Sequence, residues 1–457
     1  MDGLKKVDKW GYKVKTSSEP CITAINSYYT QVIGYGRNMN VILDAPRADP
    51  DCVLSNILAA HFLFSSDPSK AIRLLEDANS RLGTATVYEK AVFDAVSYLI
   101  SPGKDDDEAI ELHFKLLKDF PRDLASLKRA QVLCFYMGRP DISLRLVEQV
   151  LPHNEGENYI YGMLAFPLLE LGRMADAEKA AKRGLEINKE DPWAQHALCH
   201  VYHYQCRFKE AVEFMEECSQ SWSSLSSFMF THNWWHVALC FLEGHSPITK
   251  VEEIYDKWIW KELERSDAMP AEVYLNAVGL LLRVYVRDEI KVFEERLKML
   301  AGCLADRGVW YLEWHLDVLI VWALTYTRDT AKAEDLLKGL RYRHSLMSKK
   351  KQHVMQKGLL LAEALYEYGR GENEKALELL GHKFDARDYK IIGASDEQVD
   401  VFNEIWITLL INTGQATKAI EAMDQQVKKR GAPFLSHLLE KCYEIVGRPE
   451  AAKTCTT

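Results

Sequence analysis

The 457-residue chain repeats itself at a fixed interval, and that interval restricts its fold more than any other feature. A small residue just after a turn recurs at Ala109, Ser143, Ala177 and Ala211, a spacing of 34 residues three times running. Five positions before the last three sit Gly138, Gly172 and Cys206, where the chain must reverse between two helices and backbone freedom is at a premium. Within one unit, Tyr161, Leu164, Ala165 and Leu168 recur three and four apart, and Ala177, Ala181 and Leu185 do so after the turn at Gly172. Each run is an amphipathic helix that cannot bury its apolar face alone, so neighbouring pairs must stack. The pattern predicts an all-α, tetratricopeptide-type α-solenoid: a right-handed superhelix of antiparallel helix pairs over 1–457.

The repeat is most regular over 104–218 and loosens over 219–330. There a serine-rich loop, Ser219 to Ser227, precedes an aromatic helix from His232 to Leu242, and Ser266 to Pro270 breaks the chain again. Over 331–457 the grammar returns: Leu361 to Leu380 around Gly371, Val401 to Met423 around Gly414, and Leu435 to Ala452 around Gly447. A helix from Pro68 to Leu82 with Ala71 extends the array toward the N-terminus. Gly is 24 and Pro only 14, which leaves little room for long loops, and no strand-period stretch competes.

The formal charge is -9, with Lys and Arg spread among Asp and Glu, which argues against nucleic acid as the main partner. The nearest basic cluster, Arg341, Arg343, His344, Lys349, Lys350 and Lys351, reads as a solvated helix end. Met1 to Trp10 has no signal-peptide pattern, and no apolar run reaches the roughly 20 residues of a membrane span; Val318 to Leu324 reads as a buried helix segment. Cys455 stands one position too late for prenylation. Ten cysteines without a CxxC pair read as reduced thiols, and the expected location is the cytosol.

Phosphate-loop, nucleophile-elbow and HExxH motifs are absent. Histidine is the exception: six of the fourteen lie between His196 and His245. Two HxxxH pairs, His196 with His200 and His232 with His236, put imidazoles one turn apart on a helix face, close enough to share a metal or an anionic ligand. By the 34-residue step, His196 and His200 fall at first-helix positions that line the concave groove of such solenoids, with His203 close to the same face. The tryptophans Trp193, Trp222, Trp234, Trp235, Trp258 and Trp260 either fill wide gaps between irregular helices or wall a pocket. Asp256 and Arg283 read, from sequence alone, as surface or structural ion-pair residues.

From Tyr161 to about Leu324 the chain resembles the tetratricopeptide repeat protein 38 family. The matching residues are Gly162-Met163, Ala165-Phe166, Leu168-Leu169-Glu170, Gly172-Arg173, Ala177-Glu178, Asp191, Trp193-Ala194, His196-Ala197, His200-Val201, His232 to His236, Ala238-Leu239, Glu243 and Tyr255-Asp256. The resemblance implies that His196, His200, His232, His236, Asp256, Arg283 and His315 cluster together. The chain departs from the pattern at His203, Tyr204 and Cys206, at Asn276 where the family has Asp, and at Leu282 where it has Trp.

These readings lead to three expectations. The first is a binding module whose concave groove, lined by His196, His200, His203, His232, His236, Asp256, Arg283, His315 and Trp235, takes a protein or peptide segment or a small acidic ligand. The second is an enzyme in which His196, His200, His232 and His236 hold a divalent metal such as Zn or Fe. The third is a small-molecule binder without turnover.

Overall fold

The turns carry the repeat. In the computed structural model, which describes residues 5–427 and 433–448, the residues joining successive helices adopt left-handed backbone at Gly138, Gly172, Cys206, Asp288, Arg328, Gly371, Gly414 and Gly447. Each is followed by a backbone bond from the next amide to a carbonyl five residues earlier, as in Arg173 N to Leu168 O at 2.9 Å and Arg207 N to Tyr202 O at 2.9 Å. The same closure recurs at Glu289 N to Val284 O (3.0 Å) and Asp329 N to Leu324 O (2.8 Å). This is the Schellman end of a helix, which satisfies its last carbonyls. After Gln220 the same turn therefore recurs, at Asp288 and Arg328 without glycine, but no longer at the 34-residue interval.

The only sheet among the described residues is the two-residue hairpin of Lys6–Val7 with Lys13–Val14. The architecture is a tetratricopeptide-type helical repeat. By packing, the array expected over 1–457 divides into two compact units, 1–197 with 224–226, and 198–223 with 227–457.

In the first unit the helix pairs Leu124–Tyr136 with Pro140–Val150, and Ile160–Glu170 with Met174–Ile187, show the 34-residue step directly. Gly162 is required there: a Cβ on it would stand 2.4 Å from Trp193 Cβ and 2.7 Å from the Ala194 amide. The helix Ile160–Glu170 can approach the next helix, Pro192–Tyr204, only because that side chain is missing. The helix expected from Pro68 runs Pro68–Arg81 with Ala71 buried.

In the second unit the serine-rich segment forms a 3-10 turn, Ser219–Ser224, and the aromatic helix starts earlier than expected, spanning Ser227–Glu243. That helix packs against Pro270–Val286, which in turn packs against Trp314–Tyr326 and Asp396–Asn412. The last contact joins segments more than a hundred residues apart and brings the C-terminal repeats onto the histidine-bearing helix. Val318 to Leu324 is fully buried. The tryptophans mostly fill gaps: Trp234 stacks on Trp258 at 4.4 Å and meets Trp222 edge-on at 5.3 Å. The basic cluster lies at a helix end, where Arg341 pairs with Glu363 at 2.8 Å. The nine described cysteines form no disulfide. No helix among the described residues is long and apolar enough to cross a membrane. Ala452 and Cys455 lie outside the described residues.

Candidate functional site

Two helices of the second unit bring histidines to a buried carboxylate on a third. Glu397 sits in the first turn of Asp396–Asn412, whose N-terminus is closed by a capping box: the Ser395 amide donates to Gln398 Oε1 at 2.9 Å and the Gln398 amide to Ser395 Oγ at 3.4 Å. A negative charge is favoured at that helix end by the aligned peptide dipoles. Glu397 Oε1 lies 3.1 Å from His200 Nδ1 and 2.9 Å from His203 Nδ1, and Oε2 lies 3.0 Å from His236 Nδ1. Because 200 and 203 are three apart on one helix, and 232 and 236 four apart on another, each helix can present two imidazoles to one point.

Behind the carboxylate the imidazoles form a chain. His236 Nε2 stands 3.2 Å from His232 Nε2, and His232 Nδ1 stands 2.9 Å from Asn276 Oδ1. Asn276 donates through Nδ2 to Thr231 Oγ1 at 2.8 Å and to the Glu272 carbonyl at 3.2 Å, which fixes its amide orientation and leaves Oδ1 as the acceptor. His232 is held flat between the rings of Phe228 and Trp235, at 5.0 and 5.2 Å. The Arg283 guanidinium faces Trp235 at 5.7 Å, lies 3.4 Å from Glu404 Oε1 and donates to the Glu397 carbonyl. Arg287 bridges Glu243 at 2.5 Å and Glu404 at 2.8 Å. His200, His232, His236 and Glu397 are buried, with exposures of 2%, 3%, 0% and 6%, so these side chains face the interior rather than an open groove.

Electrostatics follow from this burial. Desolvation would push the Glu397 carboxyl up, but His200, His203 and His236 outweigh it and hold it well below the usual carboxylate range. Desolvation would lower His203, yet the Glu397 carboxylate raises it to about 9. His232 falls to about 4 and His315 to about 3, each chiefly through burial, and His236 is held well below its ordinary value by burial and by His200. Burial raises Glu243 but Arg287 and His203 bring it down to about 2.

Of the residues singled out in the sequence, His200, His203, His232, His236, Trp235 and Arg283 come together, and buried His315 is close enough to His232 for their charges to interact. Asp256 does not join them; its half-exposed carboxylate is held by Arg296 at 2.7 and 2.8 Å. His196 belongs to the first unit, where it is buried and stacks on Phe166 at 6.0 Å. Glu397, Glu404 and Arg287 were missed. Their sequence surroundings are those of ordinary helix ends, and only the long-range packing of Asp396–Asn412 gives them a role.

The first unit offers a different surface. On the helix Leu124–Tyr136, Val132 and Tyr136 are exposed, and Phe135 meets Phe166 of Ile160–Glu170 at 6.2 Å to continue an apolar, aromatic stripe. At its base Lys128 is buried, its ammonium 3.2 Å from the centroid of Tyr35 and 3.7 Å from that of Trp193.

Among solved structures the chain is similar to a human IFIT1 dimer with m7Gppp-AAAA, at 13% identity and a TM-score of 0.40, covering 96% of this chain and 89% of that one. It is also similar to the APC/C Cut9–Hcn1 hetero-tetramer, at 12% identity and 0.36, covering 93% of each chain. No family model matches the chain. What its own geometry shows is the fold, a helical repeat of tetratricopeptide type.

Proposed function

We propose that the chain is a helical-repeat binding module that takes an apolar peptide segment of a partner protein on the first unit. The observation that carries this reading is the stripe formed by Val132, Phe135 and Tyr136 on one first helix and Phe166 on the next, two of them more than 40% exposed. Stacked pairs repeat the same surface position at a fixed interval, which suits a ligand that is itself a repeating chain. Aromatic side chains give large contact area for little lost rotamer freedom, so they favour such a contact. The buried histidines are not available to this partner.

The test is selection of displayed random peptides on the immobilised full chain. Binders with apolar residues at regular spacing are expected, and Tyr136→Asp should weaken them about tenfold or more, the loss of a 1.4 kcal/mol contact. Lys182→Asp, on an exposed second helix, should leave them unchanged. Binders indifferent to Tyr136→Asp would refute the reading. The Glu397 cluster favours a second, independent reading, a cation site in the other unit.

A further inference from the structure

We infer that the second unit holds a divalent transition-metal ion, bound by His200, His236 and Glu397 with His203 beside them. The argument starts from charge. Glu243, Glu397 and Glu404 are buried with two guanidinium groups, Arg283 and Arg287, so this polar core is one positive charge short before any histidine is considered. A buried charge without compensation is expensive, so the cluster favours a cation beside Glu397, whether a protonated histidine or a metal ion.

The hydrogen bonds then decide which cation. The fixed amide of Asn276 needs a donor at Oδ1, so His232 carries its proton on Nδ1 and turns a lone pair on Nε2 toward His236. His236 must therefore donate through Nε2, at 3.2 Å. A neutral His236 has then spent its one proton, and its Nδ1 lone pair faces Glu397 Oε2 at 3.0 Å, lone pair to lone pair. Glu397 Oε2 is itself buried and receives no hydrogen bond from the described residues. A metal ion resolves it with His236 neutral.

The ligand set agrees. One ring nitrogen each of His200 and His236 and a Glu397 oxygen all lie within 4.8 Å of one another. Ligands about 2.0–2.1 Å from a shared ion stand roughly 3 Å apart along a coordination edge; His200 Nδ1 stands 3.1 Å from Oε1 and His236 Nδ1 3.0 Å from Oε2, one nitrogen to each oxygen of the carboxylate. Two imidazoles and a carboxylate suit zinc or iron(II) and leave positions open. Asn276, hydrogen-bonded to His232, is an outer partner that sets the tautomer along the chain.

The experiment uses the full-length chain without a histidine tag, stripped with chelator and titrated separately with zinc(II) and cobalt(II), followed by elemental analysis after gel filtration. The expected result is one ion retained per chain, a visible cobalt absorption band, and a rise in melting temperature on zinc addition. Glu397→Gln and His236→Gln should each lower affinity at least a hundredfold, whereas His344→Gln should not. Should the variants fail to fold, X-ray absorption on the cobalt-loaded wild type decides: imidazole and carboxylate scattering supports the site, and thiolate scattering refutes it. Retention of less than a tenth of an ion per chain at micromolar zinc, or equal binding by Glu397→Gln, would also overturn the inference.

Discussion

Replacing Glu397 by Gln removes one charge while keeping size and hydrogen-bonding oxygen, so it isolates what the carboxylate does. In the metal-free protein, Glu397 raises His203 from 6.5 to about 9. The folded state therefore holds a proton that the unfolded state has released, and the stability it contributes is complete below pH 6.5 and lost as pH rises through 9. A difference of about 2.5 units at 1.36 kcal/mol each comes to about 3 kcal/mol, and His203 is buried enough, at 12% side-chain exposure, for that figure to stand without heavy screening. Wild-type stability should fall by that amount between pH 6.5 and 9. In Glu397→Gln the main raising influence on His203 is gone and burial opposes its charge, with only Cys240 and Glu243 still favouring it, so the decline should shrink sharply. Urea unfolding followed by tryptophan fluorescence, on chelator-treated protein at pH 6, 7.5 and 9.5, measures both profiles. Parallel profiles would refute the coupling of Glu397 to His203.

Other consequences are separable. Gly162→Ala forces a Cβ to 2.4 Å from Trp193 and 2.7 Å from the next backbone amide, and should cost about 2 kcal/mol in chemical unfolding, with a correspondingly lower melting temperature. Gly302→Ala, in the helix Glu294–Leu304 with nothing within 4 Å of the new Cβ, should instead stabilise by about 0.5–1 kcal/mol in the same assay. Arg287→Met leaves Glu243 and Glu404 without their bridge and should destabilise by about 3 kcal/mol, a loss that Arg287→Met with Glu404→Gln should partly recover.

The helical grammar was open to reading because it is local. Gly138 and Gly172 mark turns whose left-handed backbone glycine favours, and the three- and four-residue spacing of Tyr161 to Leu168 records which face is buried. Where Asp288 and Arg328 take the same backbone with a side chain attached, neighbouring contacts enforce it and the composition no longer announces it. The histidine pairs were likewise visible, because residues four apart on a helix must share a face. Their common partner was not, since Glu397 lies almost two hundred residues from His200 and His203 and looks in sequence like any acidic first-turn residue. Asn276 was noticed only as a departure from a family pattern; its role as an acceptor for His232 depends on the packing of two helices. Asp256, in contrast, followed the sequence-only reading and pairs with Arg296 at the surface.

The most direct test of the Glu397 centre is a crystal structure of the zinc-loaded chain with diffraction recorded at the zinc absorption edge. The account predicts one anomalous peak within bonding reach of His200 Nδ1, His236 Nδ1 and the Glu397 carboxylate, with Asn276 still accepting from His232. A peak elsewhere, or Asp396–Asn412 packed so that Glu397 faces solvent, would contradict it.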